Sequence, residues 1–235
     1  FYSTGVLFAD WVTVFALDEA DKLVMAFVPK GTEGVEIIDD WDGFGQRTTG
    51  SGTTVLNNVY VNADHVVLHH KGFERPTTIG SVGQIIHAGV DLGIARAAFA
   101  ETLDFVKTRS RPWMDSGVER ASDDPLTIAK VGQIAIRLEA ATATVERAGR
   151  QVDAAQVETT LAVAAAKVLT TEIAIEATNT LFELAGTASV KLDLNLDRHW
   201  RNARTHTLHD PVRWKYHVVG NYHLNDVIPP KNGAI

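Results

Sequence analysis

The sequence predicts an α+β fold in which a β domain over 1–66 precedes an antiparallel helical bundle over 67–235. Three observations carry this. Apolar residues over 1–66 fall in short aromatic and β-branched runs separated by Gly and polar turns. From about Ile79 onward the apolar period changes from two to between three and four. Hydrophobic residues make up 45% of the 235, ample for a buried core.

In chain order, Val6–Leu17 reads as a first strand, Asp18–Lys22 as a polar turn and Leu23–Val28 as the returning strand. Val35–Ile38 and Thr53–Val61 add two more. Pro29, Gly31 and Gly34, then Gly43, Gly45, Gly50 and Gly52, mark the turns between them. Gly45–Gly52 is not a phosphate loop, because neither a strand-to-helix context nor a Lys-Ser/Thr pair follows it.

The helical part begins with Gln84–Lys107, which carries Leu92, Phe99, Leu103 and Val106 on one face. Ile128, Val131, Ala135, Leu138, Thr142, Val145, Gly149 and Val152 then alternate steps of three and four, the seam of a left-handed bundle. Asp124-Pro125 supplies that helix with an N-cap and a first residue. A further helix, Val157–Leu184, places Leu161, Val168, Ile175 and Phe182 every seven residues and stops at Gly186. With 196–210 as the last helix, these segments make the bundle. The alanines of Ala162–Ala166 permit close helix approach or a broad oligomer interface.

A net charge of −7 argues against a nucleic-acid surface, and the basic residues of 198–215 are too local to overturn that. A phosphate-bearing small molecule suits them better. No cysteine is present, so there is no disulfide framework, which fits a reducing compartment. No apolar run approaches the roughly 20 residues of a membrane span and no targeting leader opens the chain, so a cytoplasmic location is expected. The chain opens at Phe1 inside a strand-like pattern without an initiator Met, and a preceding segment is therefore expected.

The most chemically loaded stretch is Arg198–His217, with four histidines, five basic residues and one carboxylate. Read as a helix, it sets Arg198, Arg201 and Arg204 three apart, and His206 and His209 repeat the step. Pro211 would end that helix. His209 and Asp210 would then lie at a helix C-terminus, where the macrodipole favours a protonated imidazole, a suitable place for proton chemistry. On residue types alone, an Arg-rich, His-bearing helix is more often a solvated or interface face than an active site. Metal ligation is not expected, because no second histidine pair at ligand spacing and no cysteine accompany the first. His87 sits on an otherwise apolar helix and reads as either a core histidine or a pocket residue.

A β domain followed by long bundle helices, together with these motifs, resembles the C-terminal two-thirds of the acyl-CoA dehydrogenase superfamily. Within it, Phe1-Tyr-Ser-Thr-Gly5, Gly45-Gln-Arg-Thr-Thr49 and above all Arg198–Tyr216 resemble the flavin monooxygenase branch of dibenzothiophene monooxygenases and sulfur acquisition oxidoreductases. The resemblance covers essentially the whole chain. It implies a central β-barrel or sandwich domain followed by a C-terminal antiparallel four-helix bundle. It also implies reduced FMN delivered by a separate flavin reductase, or FAD nearer the dehydrogenases, with O2 and a small organosulfur substrate. A homotetramer with sites at subunit boundaries is implied too. The absence of an NAD(P)H fingerprint agrees with reducing equivalents delivered from outside.

Residue by residue, the resemblance places Ser3 against the flavin ring, where a hydroxyl can hydrogen-bond it as its redox state changes. Arg109 matches an Arg that reaches cofactor phosphate across a subunit boundary, although Pro112-Trp113 replaces the aromatic that usually follows. His209-Asp210-Pro211 stands where dehydrogenases can carry a Tyr-Glu-Gly base, and a shorter carboxylate before Pro copies that base poorly. Ser81 and Gln84 replace an Asp and an Arg that help to anchor a CoA thioester. His206 and His209 are therefore expected to serve oxygen chemistry, one stabilising activated oxygen and the other orienting substrate or exchanging a proton. Asp210 would position an imidazole, and His87 would line the substrate pocket. An acyl-CoA dehydrogenase with FAD is the first alternative, and a non-catalytic helical assembly protein the second.

Overall fold

The computed structural model describes residues 1–156 and 159–230, which form two compact units, Phe1–Thr77 and a helical unit from Thr78 onward. In the first unit, β1 (Tyr2–Ser3), β2 (Trp11–Leu17), β3 (Leu23–Pro29), β4 (Val35–Ile38), β5 (Gly52–Leu56) and β6 (Val66–Val67) make two antiparallel sheets, ordered β1-β5-β4 and β2-β3-β6. The β2–β3 hairpin runs in register from Trp11 opposite Pro29 to Leu17 opposite Leu23. Its turn is closed by the Asp18 carboxylate, which accepts from the N–H groups of Ala20 and Lys22. Alternation then sorts the side chains: Val12 and Val14 are buried, whereas Trp11, Phe15 and Leu17 are exposed. Val12, Val14, Ala26 and Val28 share one apolar cluster with Val35, Ile37 and Leu56, so the two sheets have a common core. Gly52, which pairs with Ser3, is required by crowding, because a Cβ there would meet the Ile38 carbonyl oxygen at 2.4 Å.

Two strand expectations are shortened. The strand expected over Val6–Leu17 starts only at Trp11, because Gly5 (φ 77°) turns the chain and the N–H groups of Phe8 and Ala9 bond back to Gly5 and Val6. The strand expected over Thr53–Val61 ends at Leu56, after which Asn57 donates to the Gly34 carbonyl and Asn58 takes a left-handed φ of 51°. β6, only two residues long, carries no periodic pattern that could have announced it.

The second unit contains α1 (Ile79–Thr108), α2 (Pro125–Asp153), α3 (Thr160–Ala185), α4 (Asp197–His206) and α5 (Val212–Asn225). Asp124 caps α2 by accepting from the Leu126 N–H, with Pro125 in the first turn. α3 ends at Gly186 with φ 65°. α3 is the central element, packed against each of the other four helices. Small side chains allow this: Ala95, Ala98, Ala141, Ala174, Ala177 and Ala203 join Leu92, Ile134 and Ile173 in one cluster drawn from α1 to α4. Among the described residues, no helix is long and apolar enough to cross a membrane.

Helix boundaries hold two corrections. α3 begins at Thr160, and Val157 and Glu158, where its start was expected, lie outside the described residues. The segment 196–210 is not one helix: α4 stops at His206, and the N–H groups of Leu208 and His209 bond to Thr205 and His206 in a tight turn. Pro211 therefore does not terminate a helix but stands as the N-cap of α5, where its missing N–H costs nothing. His209 and Asp210 lie between two helices, and the described residues hold five α-helices where four were counted.

Candidate active site

α4 is pinned to α1 by charge. Glu101 on α1 accepts from Arg198 (2.5 Å) and pairs with His199 (2.6 Å), and Asp197 accepts from Arg201 at 2.7 Å. Arg204 donates to the Thr207 hydroxyl at the end of α4. Of the arginines in this stretch, Arg198 reaches across to α1, whereas Arg201 and Arg204 bond within α4 and its cap, and His199 is buried against Glu101. This pinning delivers His206, the last residue of α4, to the middle of α1.

On α1, Gln84, His87 and Asp91 stand at steps of three and four and so share one helix face. Asp91 is fully buried; its Oδ2 accepts from Lys167 Nζ at 2.5 Å and from the Thr171 hydroxyl at 2.9 Å, both on α3. Its Oδ1 lies 2.6 Å from His206 Nδ1. Burial opposes the charged carboxyl, but His206 and Lys167 outweigh it and hold Asp91 below the ordinary carboxylate range. The His206 Nε2 in turn lies 3.2 Å from His87 Nδ1. On the other side, the His209 ring stacks on His87 at 3.8 Å between centroids, and His209 Nδ1 is 3.1 Å from Asp210 Oδ2. Gln84 donates to the same Asp210 oxygen at 2.8 Å, and buried Lys215 of α5 stands 3.9 Å from it. Burial again works against the Asp210 anion, and Gln84, His209 and Lys215 still hold it low.

His87 is therefore the meeting point of two lysine–aspartate–histidine sets. Burial, followed by the neighbouring His209, His206 and Lys167, pushes its imidazole down to about 4, with Asp210 opposing. It is a neutral ring at neutral pH. The contact between His87 Nδ1 and His206 Nε2 is a hydrogen bond whose direction is set by which of the two nitrogens carries the hydrogen. Among the described residues, no group of three or more His, Cys, Asp or Glu is arranged to hold a metal ion.

Of the residues singled out by sequence, the structure brings together His87, His206, His209 and Asp210. Arg109 is not with them: it caps the far end of α1, exposed, with its guanidinium 5.6 Å from the Phe105 ring centroid. Some 22 residues of helix separate it from His87, about 33 Å at 1.5 Å per residue. Ser3 belongs to the first unit, where its hydroxyl accepts from Thr54 at 3.1 Å and so keeps its own hydrogen to donate. It lines a depression of about 340 Å³ walled by Tyr2, Thr4, Trp11, Thr13 and Phe15. Ser81 is buried and accepts from Thr159 at 2.8 Å. Sequence reasoning missed Asp91, Lys167, Thr171 and the inward role of Lys215. The available signal was a charged residue inside an otherwise apolar helical face, as at Asp91 in Ala88–Leu92 and Lys167 in Ala162–Val168.

The fold and this helical site define a class. The family described as acyl-CoA dehydrogenase, C-terminal domain, matches residues 85–214, and the chain belongs to it. Its fold is accordingly acyl-CoA dehydrogenase-like, with mixed helix and sheet content. Within that class the chain is 34% identical to dibenzothiophene monooxygenase of Mycolicibacterium goodii, an alignment covering 97% of this chain and 60% of that protein. It is 33% identical to the probable FMNH2-dependent monooxygenase SfnC of Pseudomonas putida, over 97% of this chain and 62% of that one. The complex of TdsC from Paenibacillus sp. A11-2 with FMN and indole superposes with a TM-score of 0.92 at 32% identity, over 99% of this chain and 65% of that one. The chain thus spans about 60% of the length of the curated relatives it matches.

Proposed function

We propose that this protein is a two-component flavin-dependent monooxygenase that takes reduced FMN from a separate flavin reductase and uses O2 to oxygenate a small organosulfur compound. The observation that carries the reading is the trio His87, His206 and His209, backed by two buried carboxylates in the helical unit. Imidazoles both donate and accept protons near neutral pH, which is what oxygen transfer asks of its surroundings. The relatives named above support the flavin and the sulfur chemistry, FAD being the alternative cofactor. Bound reduced flavin would supply the electrons that activate O2.

The residues of this chain fit such a group. The depression beside Ser3 combines aromatic walls with hydroxyls, which suits a flat heteroaromatic ring, and Ser3 would hydrogen-bond that ring. Arg109, exposed at the end of α1, would hold cofactor phosphate of a neighbouring subunit in a homotetramer. His206 and His209 would steady activated oxygen and exchange the proton, Asp210 would orient His209, and His87 would line the substrate pocket. A dehydrogenase is less well served: Gln84 and Ser81, at the positions of thioester-anchoring residues, are tied to Asp210 and Thr159. In the same reading, the strands are part of a middle β domain of barrel or sandwich form and the long helices are a C-terminal four-helix bundle. The expected location is cytoplasmic.

The test is single turnover of the full-length protein with reduced FMN and O2 on a panel of sulfides and sulfones, measuring product and H2O2. His206→Ala and His209→Ala are expected to lower product and release more H2O2. Normal oxygenation by both variants without extra peroxide would refute the assignment. Anaerobic bleaching of bound flavin by an acyl-CoA would favour the dehydrogenase instead.

A further inference from the structure

Asp91 and Lys167 are the one ion pair among the described residues whose side chains are both fully buried. Such a pair is a costly way to join two helices, because each charge loses its hydration and apolar side chains would serve as well. α1 and α3 already meet through alanines. The pair therefore calls for a purpose beyond packing, and its geometry supplies one. Lys167 and Thr171, four residues apart on α3, both donate to Oδ2, which leaves Oδ1 directed at His206. An ionised carboxylate only accepts, so His206 Nδ1 must carry the hydrogen between them, and Nε2 is then the nitrogen that faces His87.

We propose that Asp91, anchored by Lys167 and Thr171, is a positioning residue that holds His206 in its Nδ1-protonated form and presents Nε2 to His87. It acts through the imidazole and touches neither substrate nor cofactor. The role follows the logic by which a buried aspartate selects the tautomer of a catalytic histidine in hydrolytic triads. The charged and titratable groups around His206 are Asp91 and His87 from α1, Lys167 from α3, His209 and Asp210 from the turn, and Lys215 from α5. Of these, only Asp91 bonds Nδ1. The importance of this orientation for turnover rests on the monooxygenase reading; the orientation itself does not.

The experiment uses full-length protein labelled with 15N-histidine and magic-angle-spinning spectra at mildly alkaline pH, with the His206 signal assigned by its loss in His206→Gln. The wild type is expected to show His206 protonated at Nδ1. In Asp91→Asn the new amide can donate to Nδ1, so the Nε2-protonated form should appear, and product per reduced flavin should fall by about tenfold or more. Because Asp91→Asn strands the Lys167 charge, Asp91→Asn combined with Lys167→Met repeats the measurement with both charges removed. A His206 tautomer unchanged in both variants overturns the proposal. So does a changed tautomer with undiminished product. If the wild type oxygenates no sulfide or sulfone yet Asp91→Asn still switches the tautomer, the monooxygenase reading fails while the orienting role of Asp91 stands.

Discussion

Two lysine–aspartate–histidine sets meet at His87, and they differ in how tightly they are held. Lys167, Asp91 and His206 are linked at 2.5 and 2.6 Å, with side chains 0%, 0% and 13% exposed. Lys215, Asp210 and His209 are linked at 3.9 and 3.1 Å, with side chains 2%, 12% and 51% exposed. The first set is carried by three helices whose mutual packing is closed by alanines; the second takes its histidine and aspartate from a turn. The same three residue types thus make a largely buried, closely linked frame in one place and a looser set with a half-exposed histidine in the other. His206 can be oriented, whereas His209 can exchange protons with water.

The largest expected effect that would separate the two sets is on stability. Asp91→Ala strands a buried ammonium and should cost about 3–5 kcal/mol. Asp210→Ala breaks a looser pair and should cost about 1–3 kcal/mol. Denaturant midpoints of the full-length variants give both values, and equal losses would erase the distinction. Next in size is catalysis. His206→Ala should lower single-turnover product by about a hundredfold. His209→Ala should lower it by only about tenfold, because water can replace a half-exposed imidazole as a proton source.

The third prediction concerns pH and isolates the ring shared by both sets. His87 is depressed from 6.5 to about 4, so between those values the unfolded chain binds a proton that the folded one refuses. Stability should therefore be indifferent to this group above pH 6.5 and should fall as pH drops from 6.5 towards 4. His87→Gln should flatten the melting temperature across that window. Asp91 and Asp210 act lower: their folded values lie below 3.8, so their stabilisation is intact above 3.8 and is lost as pH falls through those values, in the wild type and His87→Gln alike. The smallest effect lies outside both sets, where Arg201→Met removes a partly exposed pair with Asp197 and should cost less than about 1 kcal/mol.

The legibility of this molecule follows the range of the interaction that carries each feature. The start of α2 at Asp124-Pro125 and the stop of α3 at Gly186 were readable, because a capping carboxylate, a proline in the first turn and a glycine with positive φ act within a few residues. The turn after His206 was not, because His206 and His209 keep the same three-residue step across it as Arg198, Arg201 and Arg204 keep before it. Pro211 signalled a break without saying on which side the helix lay; it opens α5.

The site divides in the same way. His87, His206, His209 and Asp210 could be named from their chemistry and from resemblance, and the helical unit places them side by side. Asp91 and Lys167 are 76 residues apart, and neither has a local pattern that points to the other. By itself the sequence determined that strands precede long helices, the caps of α2 and α3 and the identity of the imidazoles, since these depend on neighbouring residues and side-chain chemistry. Only the tertiary structure decided which carboxylate faces which ring. A 2.6 Å contact depends on the rotation and axial offset of α1 against α4, and those are set by packing across the whole helical unit.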